Sequence, residues 1–251
     1  MPDDRDFRPV AVVTGAGAAR VGNCVVRRLA DAGFDVAVHA NRSLAEAEAT
    51  AAELRDAGHR AIAVQAELTD ETAVQGMVER VLEQFGHVEA LVNCAAIWER
   101  KSLQQVTAND VRRHFEVNAL GTFLCCQQFG LQMAAQQHGG AIVNVGDWAT
   151  ARPYADYAAY FPSKGAIPAM TRSLAVEFAR RNRSVRVNAV LPGPVMLPAD
   201  LPEAERQASI AGTLLKKEGS PENVAHAVQF LLENDFVTGV CLPVDGGRTI
   251  A

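Results

Sequence analysis

Short runs of apolar and β-branched residues recur along this chain, and nearly every one is followed by a stretch of helical character. The runs fall at residues 10–14, 34–40, 61–66, 90–94, 141–145, 185–191 and 240–244. Helical stretches stand at 23–32, 44–57, 69–85, 107–137, 156–181, 203–215 and 221–233, with Gly33, Gly58 and Gly86 near three of the stops. A strand that is apolar on both sides must be covered on both sides, and strands joined through helices run parallel. The alternation therefore predicts an α/β fold: one doubly wound domain over residues 1–251, with a mostly parallel seven-stranded sheet and helices on both faces. A chain of 251 residues, about half of them apolar, is long enough for such a core. Residues 1–8, polar and acidic, read as a loose tail. The one long connection, 193–202, is rich in proline, and residues 193–219 are the expected substrate-covering region.

Composition removes several classes of function. A formal charge of −5 with no concentrated basic patch argues against nucleic acid as a partner. No apolar run reaches the roughly 18–20 residues that span a bilayer, so no membrane segment is expected. The N-terminus lacks the basic-then-apolar order of a signal peptide, which points to the cytoplasm. Five cysteines (Cys24, Cys94, Cys125, Cys126 and Cys241) make an odd set without a C-x-x-C pair, so reduced thiols in apolar surroundings are expected. Six histidines are scattered without ligand spacing, and no metal site is expected.

Two places carry chemistry. The first is Thr14-Gly15-Ala16-Gly17-Ala18-Ala19-Arg20-Val21-Gly22, between the first run and the first helical stretch. Small residues there allow close backbone approach to a pyrophosphate, and a helix N-terminus offers free N–H groups. The second strand ends in His39-Ala40-Asn41-Arg42-Ser43, with no acid to take a ribose 2′-hydroxyl. Arg42 and Ser43 suit a 2′-phosphate instead, with Arg20 as a second cation, so NADPH is the expected cofactor. The second place is Tyr160 and Lys164, four residues apart on one helix face, with Asp147 thirteen residues upstream. Such a tyrosine can donate a proton to a reducible C=O or C=N group, and the neighbouring ammonium is expected to lower its pKa.

Together these segments resemble the short-chain dehydrogenase/reductase family along the whole chain. The matching pieces are Thr14–Gly22, Asn93-Cys94-Ala95-Ala96, Asn118, Asp147, Tyr160-x-x-x-Lys164, Pro192-Gly193 and Val244-Asp245-Gly246-Gly247. The resemblance implies a Rossmann-type sheet in the order 3-2-1-4-5-6-7. It implies a catalytic set of Asn118, Asp147, Tyr160 and Lys164, in which Tyr160 is the acid and Lys164 holds the nicotinamide ribose. Asn93 stabilises the central sheet, and Asn118 holds a water in a proton relay. The implied cofactor contacts are Gly15, Arg20, Val21, Asn41, Arg42, Ser43, Leu68, Asn93, Ala95, Tyr160, Lys164, Pro192 and Gly193. Relatives are commonly homotetramers built on the helical stretches 107–137 and 156–181.

Three features depart from the family pattern. The glycine turn is one residue longer than usual, aspartate stands at 147 where serine is usual, and Pro168 lies inside the active-site helix, where a kink or a widened turn is expected. Arg20, a His39-x-x-Arg42-Ser43 phosphate pocket and Asp147 resemble the pteridine reductase branch. Trp98 falls where that branch stacks an aromatic ring on its substrate. The expected function is NADPH-dependent reduction of a dihydropterin or dihydrofolate, with Trp98, Asp147 and Tyr160 meeting the substrate. An ionised carboxylate accepts hydrogen bonds from ring N–H groups but cannot donate to a ketone oxygen. The alternatives are a carbonyl reductase, such as a 3-oxoacyl-carrier-protein reductase, and a non-catalytic NADPH-sensing or scaffold protein. Retention of all four polar catalytic positions argues against the last.

Overall fold

The computed structural model describes residues 7–251, so the tail expected at 1–8 lies, apart from Phe7 and Arg8, outside the described residues. The strands are β1 (Val10–Thr14), β2 (Asp35–Ala40), β3 (Ala61–Gln65), β4 (Ala90–Asn93), β5 (Gly140–Val145), β6 (Val185–Pro192) and β7 (Cys241–Val244). They form one sheet in the order β3-β2-β1-β4-β5-β6-β7, and every neighbouring pair is parallel. The helices are α1 (Val21–Asp31), α2 (Leu44–Asp56), α3 (Glu71–Phe85), α4 (Ala108–Phe115), α5 (Gly121–Ala135), α6 (Tyr160–Ala179), α7 (Glu203–Ala211) and α8 (Pro221–Glu233).

The residues of β1 divide between two cores. Ala11 and Val13 pack with Val25, Leu29, Ala51, Val228 and Leu231, from α1, α2 and α8. Val10 and Val12 pack on the other face with Val74, Val81, Phe129, Met133 and Phe178, from α3, α5 and α6. This alternation is the period of two that a strand imposes. Each fully buried large side chain contributes about 1.5–3 kcal/mol. Cys125 and Cys126 are buried in the second core as free thiols, as their apolar setting implied. No helix among the described residues is long and apolar enough to cross a membrane.

Two helical stretches differ from expectation. The stretch 107–137 is not one helix: α4 and α5 are joined by a π-helical turn, Glu116–Leu120, that widens the backbone around Asn118. By contrast, α6 runs unbroken from Tyr160 to Ala179 through Pro168. The expected widened turn thus lies one helix away from the proline. Pro168 removes one hydrogen bond, that to the Lys164 carbonyl, and buried Ile167, Thr171 and Leu174 hold the helix in place on the sheet. Helix α6 also begins at Tyr160 and not near 156, because Asp156 takes a left-handed backbone conformation with φ 70°. The tyrosine therefore sits in the first turn.

Candidate active site

In a parallel sheet all carboxyl ends lie on one edge, and the order reverses between β1 and β4, leaving a crevice above them. The glycine turn fills the floor of that crevice. The Thr14 hydroxyl accepts the N–H groups of Cys94 (3.1 Å) and Ala95 (3.2 Å), tying the end of β1 to that of β4. Gly15 has φ +64°, and a Cβ on it would lie 2.7 Å from Ala95 Cα. A Cβ on Gly17 would lie 2.7 Å from the Ser43 carbonyl oxygen. Only glycine permits this approach. Arg20 precedes Val21, which opens α1, and no side chain caps the helix, so its first N–H groups and positive dipole end are left for an anion. Arg20 is exposed beside them. It also lines one end of a groove of about 670 Å³ between α1 and α8, away from the tyrosine.

His39 corrects one expectation. Its side chain is not open to a phosphate: it is 1 % exposed, with Nδ1 accepting the Gly15 N–H (3.1 Å) and Nε2 3.1 Å from the Ala66 carbonyl. Burial lowers its pKa below 6.5, which favours the neutral ring that this arrangement needs. His39 therefore props up the glycine turn. Asn41, Arg42 and Ser43 lie at the end of β2, with Asn41 and Arg42 exposed. Asn41 donates to Glu67 Oε2 (2.7 Å), an acid after β3 that the sequence reading passed over. Burial tends to raise the Glu67 carboxyl, yet hydrogen bonds from Asn41 and Thr69 and the Arg42 charge leave it below the usual range. Leu68 is buried, with its Cβ 3.1 Å from where a Cβ on Gly121 would stand. Gly193 follows Pro192, and its N–H donates to the Val244 carbonyl (2.9 Å).

Asn93 turns into the sheet. It donates to Asn144 Oδ1 (2.9 Å) and Cys126 Sγ (3.3 Å), and Asn144 in turn donates to Thr171 Oγ1 (3.1 Å). That chain fastens β4 to β5 and to α6, in keeping with the sheet-stabilising role. The Asn93 amide nitrogen is thereby engaged, while its Oδ1 is buried without a partner. The glycine turn, the uncapped helix and the exposed arginines fit a dinucleotide phosphate group.

At the reacting end, the Tyr160 hydroxyl donates to Asp147 Oδ2 (2.7 Å), and Asp147 Oδ1 accepts the Ala149 N–H (2.8 Å). Lys164 Nζ donates to the Val145 carbonyl (2.7 Å). Tyr160 is 5 % exposed and Lys164 4 %. Burial, and then the Asp147 charge and hydrogen bond, push the Tyr160 phenol well above its usual 10. The lowering expected from Lys164 does not take effect: its Nζ is turned to the Val145 carbonyl, and burial lowers the Lys164 pKa itself. Burial raises Asp147 as well, against the pull of the Ala149 N–H, Tyr160 and Lys164. The phenol is held as a proton carrier, oriented by a carboxylate. Asn118, on the π-helical turn, exchanges hydrogen bonds with the Ile97 backbone (2.8 and 3.0 Å) and donates to Ser163 Oγ (3.0 Å). It ties the loop after β4 to the first turn of α6.

An aromatic wall flanks this centre. Trp98, 42 % exposed, stacks on Tyr157 with centroids 5.0 Å apart and planes 13° from parallel. Tyr154 meets Tyr157 and Phe161 edge-on, and Trp148 lies beside Tyr154. Trp98 therefore has one face packed. Arg100 bridges Asp156 (3.2 Å) and Glu205 (3.2 Å), joining the Trp98 loop to α7. Tyr154 and Tyr157 escaped the sequence reading, although their spacing just before Tyr160 was a visible signal.

Residues 15–249 match the model of a family described as enoyl-(acyl carrier protein) reductase. The chain is 38 % identical over 246 residues, 96 % of each protein, to cis-4-hydroxycyclohexanecarboxylate dehydrogenase of Sinomonas cyclohexanicum. It is 35 % identical over 233 residues to the 3-oxoacyl-[acyl-carrier-protein] reductase of Homo sapiens, covering 92 % of this chain and 94 % of that one. A blue fluorescent protein from a metagenomic library, solved in complex with NADPH, is similar with a TM-score of 0.86 at 35 % identity, over 96 % of this chain and 97 % of that chain. The chain belongs to the short-chain dehydrogenase/reductase family and is an NAD(P)-dependent oxidoreductase.

Proposed function

We propose that the protein reduces a C=N bond of a pterin-type substrate, a dihydropterin or dihydrofolate, with NADPH. The observation that carries this reading is the 2.7 Å hydrogen bond from Tyr160 to Asp147, where the family pattern has serine. NADPH, when bound, supplies the hydride. The neighbouring structure in complex with NADPH and the exposed Arg20 and Arg42 support that cofactor over NADH. Tyr160, kept protonated by burial, holds the proton that the reduced ring nitrogen needs. Asp147 orients the hydroxyl and accepts from substrate N–H groups, and after turnover a proton taken up from solvent water passes by way of Asp147 to restore the Tyr160 phenol. Lys164 fixes the position of the cofactor ribose from the same helix face, and Asn118 anchors that helix. Trp98 offers its open face to the flat ring.

A second reading, carbonyl reduction, is favoured by the relatives, since one is named for a hydroxycyclohexane acid and another for a 3-oxoacyl substrate. A turnover panel separates the two: dihydrobiopterin, dihydromonapterin, dihydrofolate and an acetoacetyl thioester, each with NADPH. The pterin reading requires turnover of at least one pterin, and Asp147→Ser should lower that rate while raising any ketone activity. A wild-type enzyme that reduces the thioester and ignores every pterin makes the second reading correct. The homotetramer is also our proposal, supported by exposed Phe115, Leu120 and Phe123 around the α4–α5 junction and Val176 on α6.

A further inference from the structure

Arg248 is a cation beside the site with no part in the chemistry proposed for it. After β7 the chain turns through Asp245, whose carboxylate accepts the N–H of Gly247 (2.9 Å) and the N–H and hydroxyl of Thr249 (2.7 and 2.6 Å). That turn presents Arg248. Its guanidinium lies over the Trp148 ring, 5.1 Å from the centroid. It also rests on the bare backbone of Gly212, where any side-chain carbon would collide with it. On the other side of the turn, a Cβ on Gly193 would lie 2.5 Å from Asp245 Cα. Arg248 thus stands between Trp148, next to Asp147, and Gly212 of residues 193–219, on a turn whose Asp245 packs against Gly193.

Among the described residues no carboxylate pairs with Arg248, and its Nε is buried without a partner. Arg100 is paired with Asp156 and Glu205, and Arg206 with Glu218 (2.9 Å), whereas Arg152 donates to the Arg248 carbonyl oxygen and to Ala251. A buried donor left unmatched is costly and calls for a physical reason. Stacking on Trp148 returns only part of that cost. A guanidinium pairs with a carboxylate through two parallel hydrogen bonds, which a neutral substrate cannot supply.

We infer that Arg248 is a specificity-determining residue that selects substrates bearing a carboxylate. Resting on the pterin reading, it favours a folate-type substrate, with its glutamate carboxylates, over a small neutral pterin. Burial, Asp147 and Tyr157 together raise the Tyr154 phenol, and Arg248 is among the groups that oppose them, in keeping with its position beside the same aromatic wall.

The test compares kcat and KM for dihydrofolate and dihydrobiopterin in the wild type, Arg248→Gln and Arg248→Lys, with NADPH affinity and the unfolding midpoint as checks on folding. Losing a charge-assisted pair should raise KM for dihydrofolate about tenfold or more in Arg248→Gln. KM for dihydrobiopterin and kcat for both substrates should hold. Arg248→Lys, which keeps the charge and stem but not the fork, should show a smaller rise for dihydrofolate alone, and it carries the test if the glutamine variant does not fold. Equal changes for both substrates, or none for either, overturn the inference and leave Arg248 as a packing residue. If the wild type reduces neither pterin, the functional reading has failed by itself. A keto acid and its methyl ester then replace the pair, and a preference for the acid that survives Arg248→Gln, or its absence in the wild type, overturns the inference.

Discussion

The two ends of the cleft are built from different materials. The cofactor end is made of backbone: Gly15, Gly17 and Gly22 draw main chains together, and the N–H groups of α1 await an anion. The reacting end is made of side chains: Asp147, Tyr160 and Lys164, with Trp98, Tyr154 and Tyr157 beside them. A backbone cradle depends on the absence of side chains and collapses if one is added. A side-chain centre depends on particular functional groups and can lose its chemistry while the fold survives. This division explains how one fold serves many substrates.

The sharpest break between the two ends should come from Tyr160→Phe. Removing the hydroxyl takes away the proton donor and the bond to Asp147, and general acid groups are worth about 10²–10⁴-fold in rate. Turnover should fall by that factor while NADPH affinity and the unfolding midpoint barely move. Near-normal turnover would remove Tyr160 from the chemistry. Gly15→Ala tests the opposite end. Its left-handed backbone conformation alone costs about 1–3 kcal/mol for a residue with a Cβ, and the new carbon would press on Ala95. Both NADPH affinity and thermal stability should drop, the latter by about 2–4 °C per kcal/mol. A variant that binds NADPH normally would show that the cradle is looser than its geometry implies.

Smaller effects sharpen the contrast. Arg42→Ala should erase a preference for NADPH over NADH of about tenfold, or 1.4 kcal/mol. Equal wild-type affinity for the two cofactors, measured by calorimetry, would sink that assignment. Trp98→Ala should weaken binding of a flat substrate by about 1 kcal/mol, the scale of an aromatic pair, with little effect on an aliphatic thioester. Because one Trp98 face already packs on Tyr157, losing that pair also frees the loop. Thioester kinetics disturbed as much as pterin kinetics would mean that Trp98 only braces the loop.

The fold was largely legible because parallel strands and their helices alternate with a clear period, and the strand order agreed with the resemblance. Glycine stops read well where a left-handed residue ends a helix, as at Gly86. Local exceptions were hidden. The π-helical turn at Glu116–Leu120 leaves no mark in a run of good helix formers, and Pro168, which looked like a breaker, is carried inside an unbroken helix. At the site, Asp147, Tyr160 and Lys164 could be named from spacing, but the electrostatic balance could not. Burial is a tertiary quantity, and it reversed the expected shift of Tyr160. Arg248 was invisible for the same reason: only folding brings it against Trp148 and Gly212.

His39 crosses the boundary between the two ends, since a single side chain holds the backbone cradle through Gly15 and Ala66. Its folded-state pKa lies below the unfolded value of 6.5 because burial disfavours the charged ring. As pH falls below 6.5, the unfolded chain takes up a proton here before the native chain does. The stabilisation by His39 is therefore complete above about pH 6.5 and is lost as acidification proceeds towards the lowered native pKa, at no more than about 1.4 kcal/mol per pH unit. His39→Gln removes this titration while leaving a group that can both donate and accept. Denaturant unfolding of both proteins between pH 7.5 and 5.5 isolates the effect, because the other histidines contribute equally to each. The wild type should lose stability relative to the variant across that interval. Parallel curves would mean that His39 titrates alike in both states, and that the glycine turn stands without a neutral imidazole beneath it.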